Sequence, residues 1–512
     1  MRRLDGMFHW FWTAEACIGS CAEPWNQRSA RSGKMKFPSQ KMKQLSTALV
    51  LPWLVGLMVV LYAQVVVAQS GVASGDAVVA VGPDTGWKTY RYDNRRSGVT
   101  SSSLDFPLTS RWIHRSPLPP QMAWTGPAKW DAYSGNSGLQ SMRNFDPCFY
   151  VTSDGESVFF GSSADDAIHS LDLKTGKEKW VHFTGAAVRL PPTIANGNLY
   201  FGSDDGYAYC CDKASGERIW RTRASNGNRH ITSNRKLMSL WPVRTGVLVD
   251  GKQAVFAGSL VPWEKSYLCS VDALSGGVES EQGFRRELAN VTLQGALLAS
   301  SKKLFVPQGR AAPLAFDRKD GTPRGKIGEA GGVFCILSED DMLFAGPPHQ
   351  KERDDQIRVA DLDSNASVAS FTGTNRILVA ADLAWLATDG KLKCLDRSQN
   401  VQAQDKMRKI QNDLKKKTVT AEQAKPLLQE AQKQLKDAWQ WEVESDVPFD
   451  MVKAGDAVIV GLNGSVRAYS AVDGKLLWQE SLAGTAHGLA IVAGMLIVST
   501  DLGHIHAFAT VQ

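Results

Sequence analysis

Residues 199–220 read LYFGSDDGYAYCCDKASGERIW, and the punctuation of this stretch decides the fold. Leu199 and Phe201 end one strand on the small pair Gly202-Ser203. Asp204-Asp205-Gly206 supplies a tight turn, and Tyr207 to Asp212 alternates as a second strand. Asp212, Ser215 and Gly216 make a second turn, in which the Asp carboxylate can accept backbone N–H bonds and Gly can take positive φ. Arg218 to Trp220 opens a third strand, closed by an indole that brings about 150–250 Å² of largely apolar surface. One small sheet cannot cover that plate, so the unit requires neighbours.

They are present along the chain. VFFGSSADDAIHSLDLKTGKEKW (158–180) puts Asp172, Gly176 and Trp180 at the positions of Asp212, Gly216 and Trp220. Looser copies end at Asp272-Gly276, at Asp317-Gly321 and at Asp361-Asn365, the last with Asn where αL geometry tolerates it. LAWLATDGKLKCLD (383–396), VIVGLNGSVRAYSAVDGKLLW (458–478) and MLIVSTDLGHIHAFA (495–509) complete eight units. The last stops before its Trp strand, and LTSRWIHR (108–115) has the form of the missing piece, with Trp112 as the plate. Supplying the final sheet from the N-terminal side would hide the open edges. The expected fold is therefore all-β: an eight-bladed β-propeller of four-stranded antiparallel blades over residues 86–512.

Two segments fall outside that pattern. Lys36, Lys41 and Lys43 precede an apolar run, Leu45 to Ala68, ending VVVAQS, which reads either as a cleaved export signal over 35–68 or as an uncleaved anchor. Residues 1–34 read as an upstream segment without a fold, and 69–85 as a Gly-rich linker. The second segment, 399–440, is rich in Gln, Lys, Leu and Ala, lacks Gly, and carries a helix-start box at Thr420 to Gln423. It reads as a helical hairpin inserted before a blade's outer strand, a candidate partner-binding arm.

Charge excludes one class of partner. The formal net charge is +6, but eight Lys or Arg against three acids lie in residues 1–68, so the remaining body is close to neutral. That leaves no general footprint for nucleic acid. Of eight Cys, Cys210, Cys269 and Cys394 occupy strand positions of different units, where a buried thiol fits. No CxxC or paired His/Cys spacing suggests a metal site.

The units resemble the pyrroloquinoline quinone-type repeat of the quinoprotein alcohol dehydrogenase-like propellers. The resemblance rests on Gly161-Ser162, Leu171-Asp172, Thr175-Gly176 and Trp180, and on Gly202-Ser203, Asp205-Gly206, Asp212, Gly216 and Trp220. The opening WKTYRYDNRRSG and the WPVRTG segment are similar to exported propellers of planctomycete-type bacteria. The resemblance implies a propeller fold, and the apolar run at 45–68 an exported location in periplasm or cell envelope. The family contains both dehydrogenases and non-catalytic binding or assembly proteins, so the fold is implied and the chemistry is not.

Candidate site residues come from the loops that enter the innermost strands. Before the first unit these are Trp130, Asp131, Arg143 and Asp146; before the second, Arg189; before the third, Arg229, His230, Trp241 and Arg244. Arg376, Asp450 and His487 stand in later openings. Arg189, Arg244, Arg376 and His487 are expected to converge on one mouth, where guanidinium groups would bind a carboxylate-bearing or other anionic ligand and Trp would stack on it. No catalytic residue, cofactor or metal is expected on this reading, and membrane contact is expected only through an uncleaved N-terminal segment. The partner is a protein or a small extracellular ligand. The alternatives are a quinone-dependent alcohol or sugar dehydrogenase, which would bring pyrroloquinoline quinone with calcium, and an outer-membrane assembly scaffold. For the first, Cys210-Cys211 is the obvious redox pair, but its place inside a strand argues against that role.

Overall fold

The stretch at 199–220 folds as its turns dictate. In a computed structural model, Thr193–Ala195, Asn198–Gly202, Tyr207–Asp212 and Arg218–Arg223 pair in chain order as one four-stranded antiparallel sheet. The structure describes residues 86–124, 129, 135, 137–139, 146–280, 283–328, 331–332, 334–347 and 355–510. All belong to the second of two units, Val79–Gln512, and only that unit is discussed.

Among the described residues five further sheets repeat this order, within 151–183, 248–288, 298–326, 335–372 and 374–444. A seven-stranded sheet takes up 450–510 together with two strands from the N-terminal side, Val99–Thr100 and Leu108–Arg115. Its long strands Ala457–Ser470 and Leu476–Val492 each change partner midway. The first half of 457–470 pairs with Asp450–Ala454 and the second half with 476–485, while 486–492 pairs with Met495–Thr500. Leu108–Arg115 lies antiparallel to His504–Thr510 with Trp112 opposite Ala507 and His114 opposite Ile505, the pairing expected of the borrowed strand.

The repeated turn and plate account for how one sheet meets the next. Asp212 accepts N–H bonds from Ala214 and Ser215 at 3.0 and 2.8 Å, and Gly216 takes φ +74°. Trp180 of the preceding sheet lies over Gly216, where an added Cβ would come within 2.6 Å of the indole. Trp220 covers Gly276 in the same way, and Trp112 covers Gly176. The indole N–H of Trp220 donates to Ala273 O at 2.9 Å and that of Trp112 to Leu173 O at 2.7 Å, in each case the residue after the turn Asp. At Trp112 and Trp220 packing of the plate and satisfaction of its one donor thus occur in a single contact, whereas the Trp180 indole N–H is buried without a partner. Phe284 replaces the indole over Gly321. One hydrophobic cluster joins the 450–510 sheet to the 151–183 sheet, running from Phe149, Phe160 and Leu171 to Ile459, Ile505 and Phe508.

The segment before the first sheet is wired to inner strands one after another. Trp87 exchanges backbone bonds with Ser153 at 2.8 and 2.9 Å, and Lys88 O accepts from Ile194 at 2.7 Å. Asn94 binds Val249 O through its amide and Ala299 N through its carbonyl, both at 2.9 Å. Arg95 O accepts from Leu337 at 2.9 Å and Gly98 O from Lys453 at 2.8 Å. Asp93, Arg95 and Arg96 also bond within the segment or to its neighbours; Arg96 donates to Leu297 O at 2.8 Å and to Thr89 Oγ1 at 2.7 Å. The segment is a clamp across these strands.

Two helices, α1 (Arg397–Lys415) and α2 (Ala421–Asp437), separate strands Lys391–Asp396 and Trp439–Glu444 of one sheet. Asp396 caps α1 and Thr420 forms a reciprocal capping box with Gln423 on α2. Among the described residues, no helix is long and apolar enough to cross a membrane. The expected signal or anchor lies outside the described residues.

Candidate functional site

The loops entering the inner strands of the first three sheets meet in a buried ion network. Arg189, from the loop before Thr193–Ala195, donates to Asp204 at 2.7 Å, to Asp146 and to Gln121 O at 2.8 Å. Arg244, from the loop before Leu248–Asp250, binds both oxygens of Asp204 at 2.8 and 2.9 Å. Asp146 also accepts from the Ala123 amide at 2.9 Å. All four side chains are buried, with 1–6 % of each exposed. Burial pushes the Asp204 carboxyl up, but Arg189 and Arg244 together outweigh it and hold it at about 2. For Asp146 burial wins over its single guanidinium partner, and its pKa is raised. Two cations meet two anions, so this network is electrically closed.

A hairpin covers it. His230–Ser233 pairs with Lys236–Ser239, and Lys236 Nζ reaches back to Asp166 at 2.7 Å and Ala164 O at 2.9 Å. Asn234 Nδ2 donates to Met122 O at 2.6 Å. The space left between hairpin and network is about 10 Å³, room for roughly one water.

A second cluster forms farther along the chain. Asp450 accepts from Arg91 of the clamp and from its own neighbour Met451 N at 2.9 Å. Arg91 also donates to Met451 O at 3.1 Å and Arg96 O at 3.2 Å. Arg376 donates to two backbone carbonyls, Phe449 O at 3.0 Å and Asn375 O at 2.8 Å. Both guanidinium groups stack near Phe334, at 5.1 and 5.3 Å from the ring centroid. Burial lifts the Asp450 carboxyl, and Arg91 and Arg376 do not fully bring it back. Tyr90 and Tyr150 pack edge to face at 5.1 Å beside this group, and burial pushes the Tyr90 phenol to about 12. His487 packs against Phe449 at 4.8 Å, and burial lowers its imidazole to about 4, so the ring is neutral at neutral pH. Here two arginines share one carboxylate.

The expected convergence therefore resolves into two groups. Asp146, Arg189 and Arg244 share one, and Arg376, Asp450 and His487 the other; the buried Cys148 thiol feels both Asp146 and Asp450. Arg229 and His230 are exposed, Arg229 pairing with Glu264 at 3.0 Å. Trp241 is buried and donates to Lys265 O at 2.7 Å, a packing role rather than a free stacking face. Trp130, Asp131 and Arg143 lie outside the described residues. Two participants were not anticipated. Asp204 was read only as a turn residue, although a second Asp beside Asp205-Gly206 was the available signal. Arg91 belongs to the clamp before the first sheet, and no local pattern singles out its pairing with Asp450.

Cys210 and Cys211 point to opposite faces of their strand. Cys210 packs with Tyr200 and Trp220, Cys211 with Phe159 and Ile168, and neither is in a disulfide. Burial pushes their thiols to about 11 and 12. Among the described residues, no group of three or more His, Cys, Asp or Glu side chains could hold a metal ion.

Residues 164–328 match the family model PQQ_2, described as outer membrane protein assembly factor BamB. No curated protein matches the sequence. The quinohemoprotein alcohol dehydrogenase ADHIIG from Pseudomonas putida HK5 is similar in structure, with 11% identity over 84% of this chain and 81% of that one and a TM-score of 0.55. A europium-containing methanol dehydrogenase gives 11% identity over 83% of this chain and 98% of that one, with a TM-score of 0.52. BamB from Moraxella catarrhalis gives 12% identity over 79% and 100%, with a TM-score of 0.47. At such identities the two dehydrogenases show a likeness of fold, a propeller-like arrangement of four-stranded sheets, and the matched repeat family covers residues 164–328.

Proposed function

We propose that the protein is an exported, non-enzymatic propeller of the periplasm or cell envelope that binds a partner protein or an extracellular ligand at its channel mouth. The observation that carries this reading is the use made of the carboxylates there. Asp146 and Asp204 are committed to Arg189 and Arg244, and Asp450 to Arg91. Asp204, held between two guanidinium groups and lowered to about 2, is a poor general base; Asp146 and Asp450, although burial raises them, each already accept from an arginine and a backbone N–H. Arg376, held only by carbonyls, is the cation best placed to meet an anionic group, with His487 and Phe449 beside it.

Eight blades are the architecture we infer. Counting each half of Ala457–Ser470 and Leu476–Val492 as a separate strand divides the seven-stranded sheet into two blades, with Val99–Thr100 added at the inner edge. The contact of Trp112 over Gly176 repeats that of Trp180 over Gly216, which supports a ring closed between the last blade and the first.

The test uses the full-length protein cross-linked in its native envelope. A partner retained by wild type and lost from Arg376→Glu supports the mouth as the binding surface; equal retention overturns it. The dehydrogenase reading predicts dye reduction with an alcohol or sugar in the presence of pyrroloquinoline quinone and calcium, and turnover in that assay would replace the present one. The assembly-scaffold reading is favoured over a small ligand if the retained partner belongs to an outer-membrane assembly complex, in line with the printed description of the matched family.

A further inference from the structure

A cleft of about 240 Å³ opens between the loop at 373–375, the hairpin turn at 388–391 and the loop at 446–448. Its walls carry three carboxylates, Asp355, Asp389 and Asp446, and an apolar side made by Ala387, Val447 and Pro448. Among the described residues, Lys391 is the one cationic side chain lining it, and its ammonium is already paired with Glu442 at 2.7 Å and Glu444 at 3.6 Å. Arg467 approaches Asp446 at 3.2 Å from outside the lining.

Comparison with equivalent turns shows that one of these carboxylates is left over. In the hairpin turns at Asp205 and Asp501, the carboxylate accepts a backbone N–H from the adjoining loop, from Gly185 at 3.0 Å and Thr485 at 2.7 Å. The loops before the two inner strands even share the sequence Phe-Thr-Gly, at 183–185 and 371–373. At the third turn the corresponding N–H, of Gly373, goes to Asp355 O at 2.7 Å, and the Asp389 carboxylate receives no hydrogen bond or ion pair among the described residues. A second, independent observation lies in the same wall. Asn375 is only 9 % exposed; its Nδ2 donates to Pro448 O at 3.2 Å, which leaves its Oδ1 buried without a partner. A buried acceptor in that state costs about 1–3 kcal/mol unless something donates to it.

We propose that this cleft binds an organic cation, a guanidinium or alkylammonium group on an apolar stem. The charged head lies between Asp389 and Asp446, one of its N–H groups donates to Asn375 Oδ1, and the stem packs on Ala387, Val447 and Pro448. A single metal ion fits less well, since the acidic side chains are not grouped closely enough to hold one. The inference does not depend on the mouth reading, because the groups it uses are distinct from Arg376, His487 and Asp450. Two sources share this chemistry: a free small amine or guanidine, and the basic side chain of a partner chain.

Isothermal titration of the full-length protein with butylamine, argininamide and an acetylated, amidated peptide containing one Arg distinguishes them, with butyramide as the neutral control. Binding of a cationic probe but not of butyramide, weakened at least tenfold by Asp389→Asn and by the exposed change Asp446→Asn, is the expected result. Arg376→Gln should leave it unchanged, which separates failure here from failure of the mouth reading. Preference for the peptide identifies a partner side chain, and preference for butylamine or argininamide a free ligand. The proposal is overturned if no cationic probe binds wild type, if both Asp variants bind as wild type does, or if calcium chloride displaces the probes competitively.

Discussion

The two buried charged groups differ by one carboxylate, and the difference separates structure from opportunity. Around Arg189 and Arg244 every charge is answered, Asp204 by two guanidinium groups and Asp146 by one, and a hairpin tied down by Lys236 closes the space above. Around Arg91 and Arg376 a single carboxylate serves two cations, and Arg376 is held by carbonyls alone. A balanced buried network favours one arrangement of loops over others but offers an incoming ion little. An unbalanced one retains attraction for an anion.

The sharpest way to break this comparison is to unbalance the balanced side. Asp204→Asn leaves two buried guanidinium groups sharing one carboxylate, Asp146, and should cost about 3–5 kcal/mol in denaturant unfolding. Asp146→Asn leaves Arg189 with Asp204 and should cost distinctly less. Equal losses would mean that the network does not centre on Asp204. The acid side of the stability profile carries the same signature. Because the folded Asp204 pKa lies at about 2, below its ordinary value of 3.8, its contribution is present above pH 4 and is lost as pH falls through 2. Asp146 and Asp450, both raised, act in the opposite direction.

On the unbalanced side the expected effect is smaller and of a different kind. Asp450→Asn keeps Arg91 bonded to Met451 O and Arg96 O, so the stability cost should be about 1–3 kcal/mol. The same change removes the one anion near Arg376. If Arg376 is the ligand's anchor, the variant should hold a carboxylate-bearing probe such as benzoate more tightly than wild type does, as read by titration; weaker binding would place the anchor elsewhere.

These two groups also mark the border of what the sequence disclosed. The turn Asp, the turn Gly and the closing Trp lie close together in each unit, so their roles can be read locally, and even the borrowed strand at Trp112 followed from a unit lacking its fourth strand. Ion pairing is not local. Asp204 meets Arg244 across 40 residues, Arg189 meets Asp146 across 43, and Arg91 meets Asp450 across 359. A list of loop residues named most of these side chains but could not show that acids would reach the arginines first. Asp204 was hidden because a turn already explained it, and Arg91 because the clamp's path depends on every sheet it crosses. The hairpin over the network was missed for a related reason: its strands are only four residues each and obey no repeat.

The smallest expected effect concerns a buried ring that belongs to neither group. His506 stacks on Phe508 at 6.0 Å, and its Nε2 is buried without a hydrogen-bond partner. Burial, reinforced by His504 and Arg115, lowers its pKa from 6.5 to about 4. The unfolded chain therefore takes up a proton near pH 6.5 that the folded chain refuses until about pH 4, and stability must fall as pH drops through that window. His487, lowered to about 4 mainly by burial, contributes in the same direction. Replacing the ring by His506→Phe removes a proton-binding site from the unfolded state and an unsatisfied atom from the folded one. Denaturant melts at pH 7 and pH 4.5 should then differ less for the variant than for wild type, with most of the gain at the lower pH. A pH dependence unchanged by the substitution would show that the ring is hydrated, or that His487 and the mouth carboxylates alone govern the acid limb.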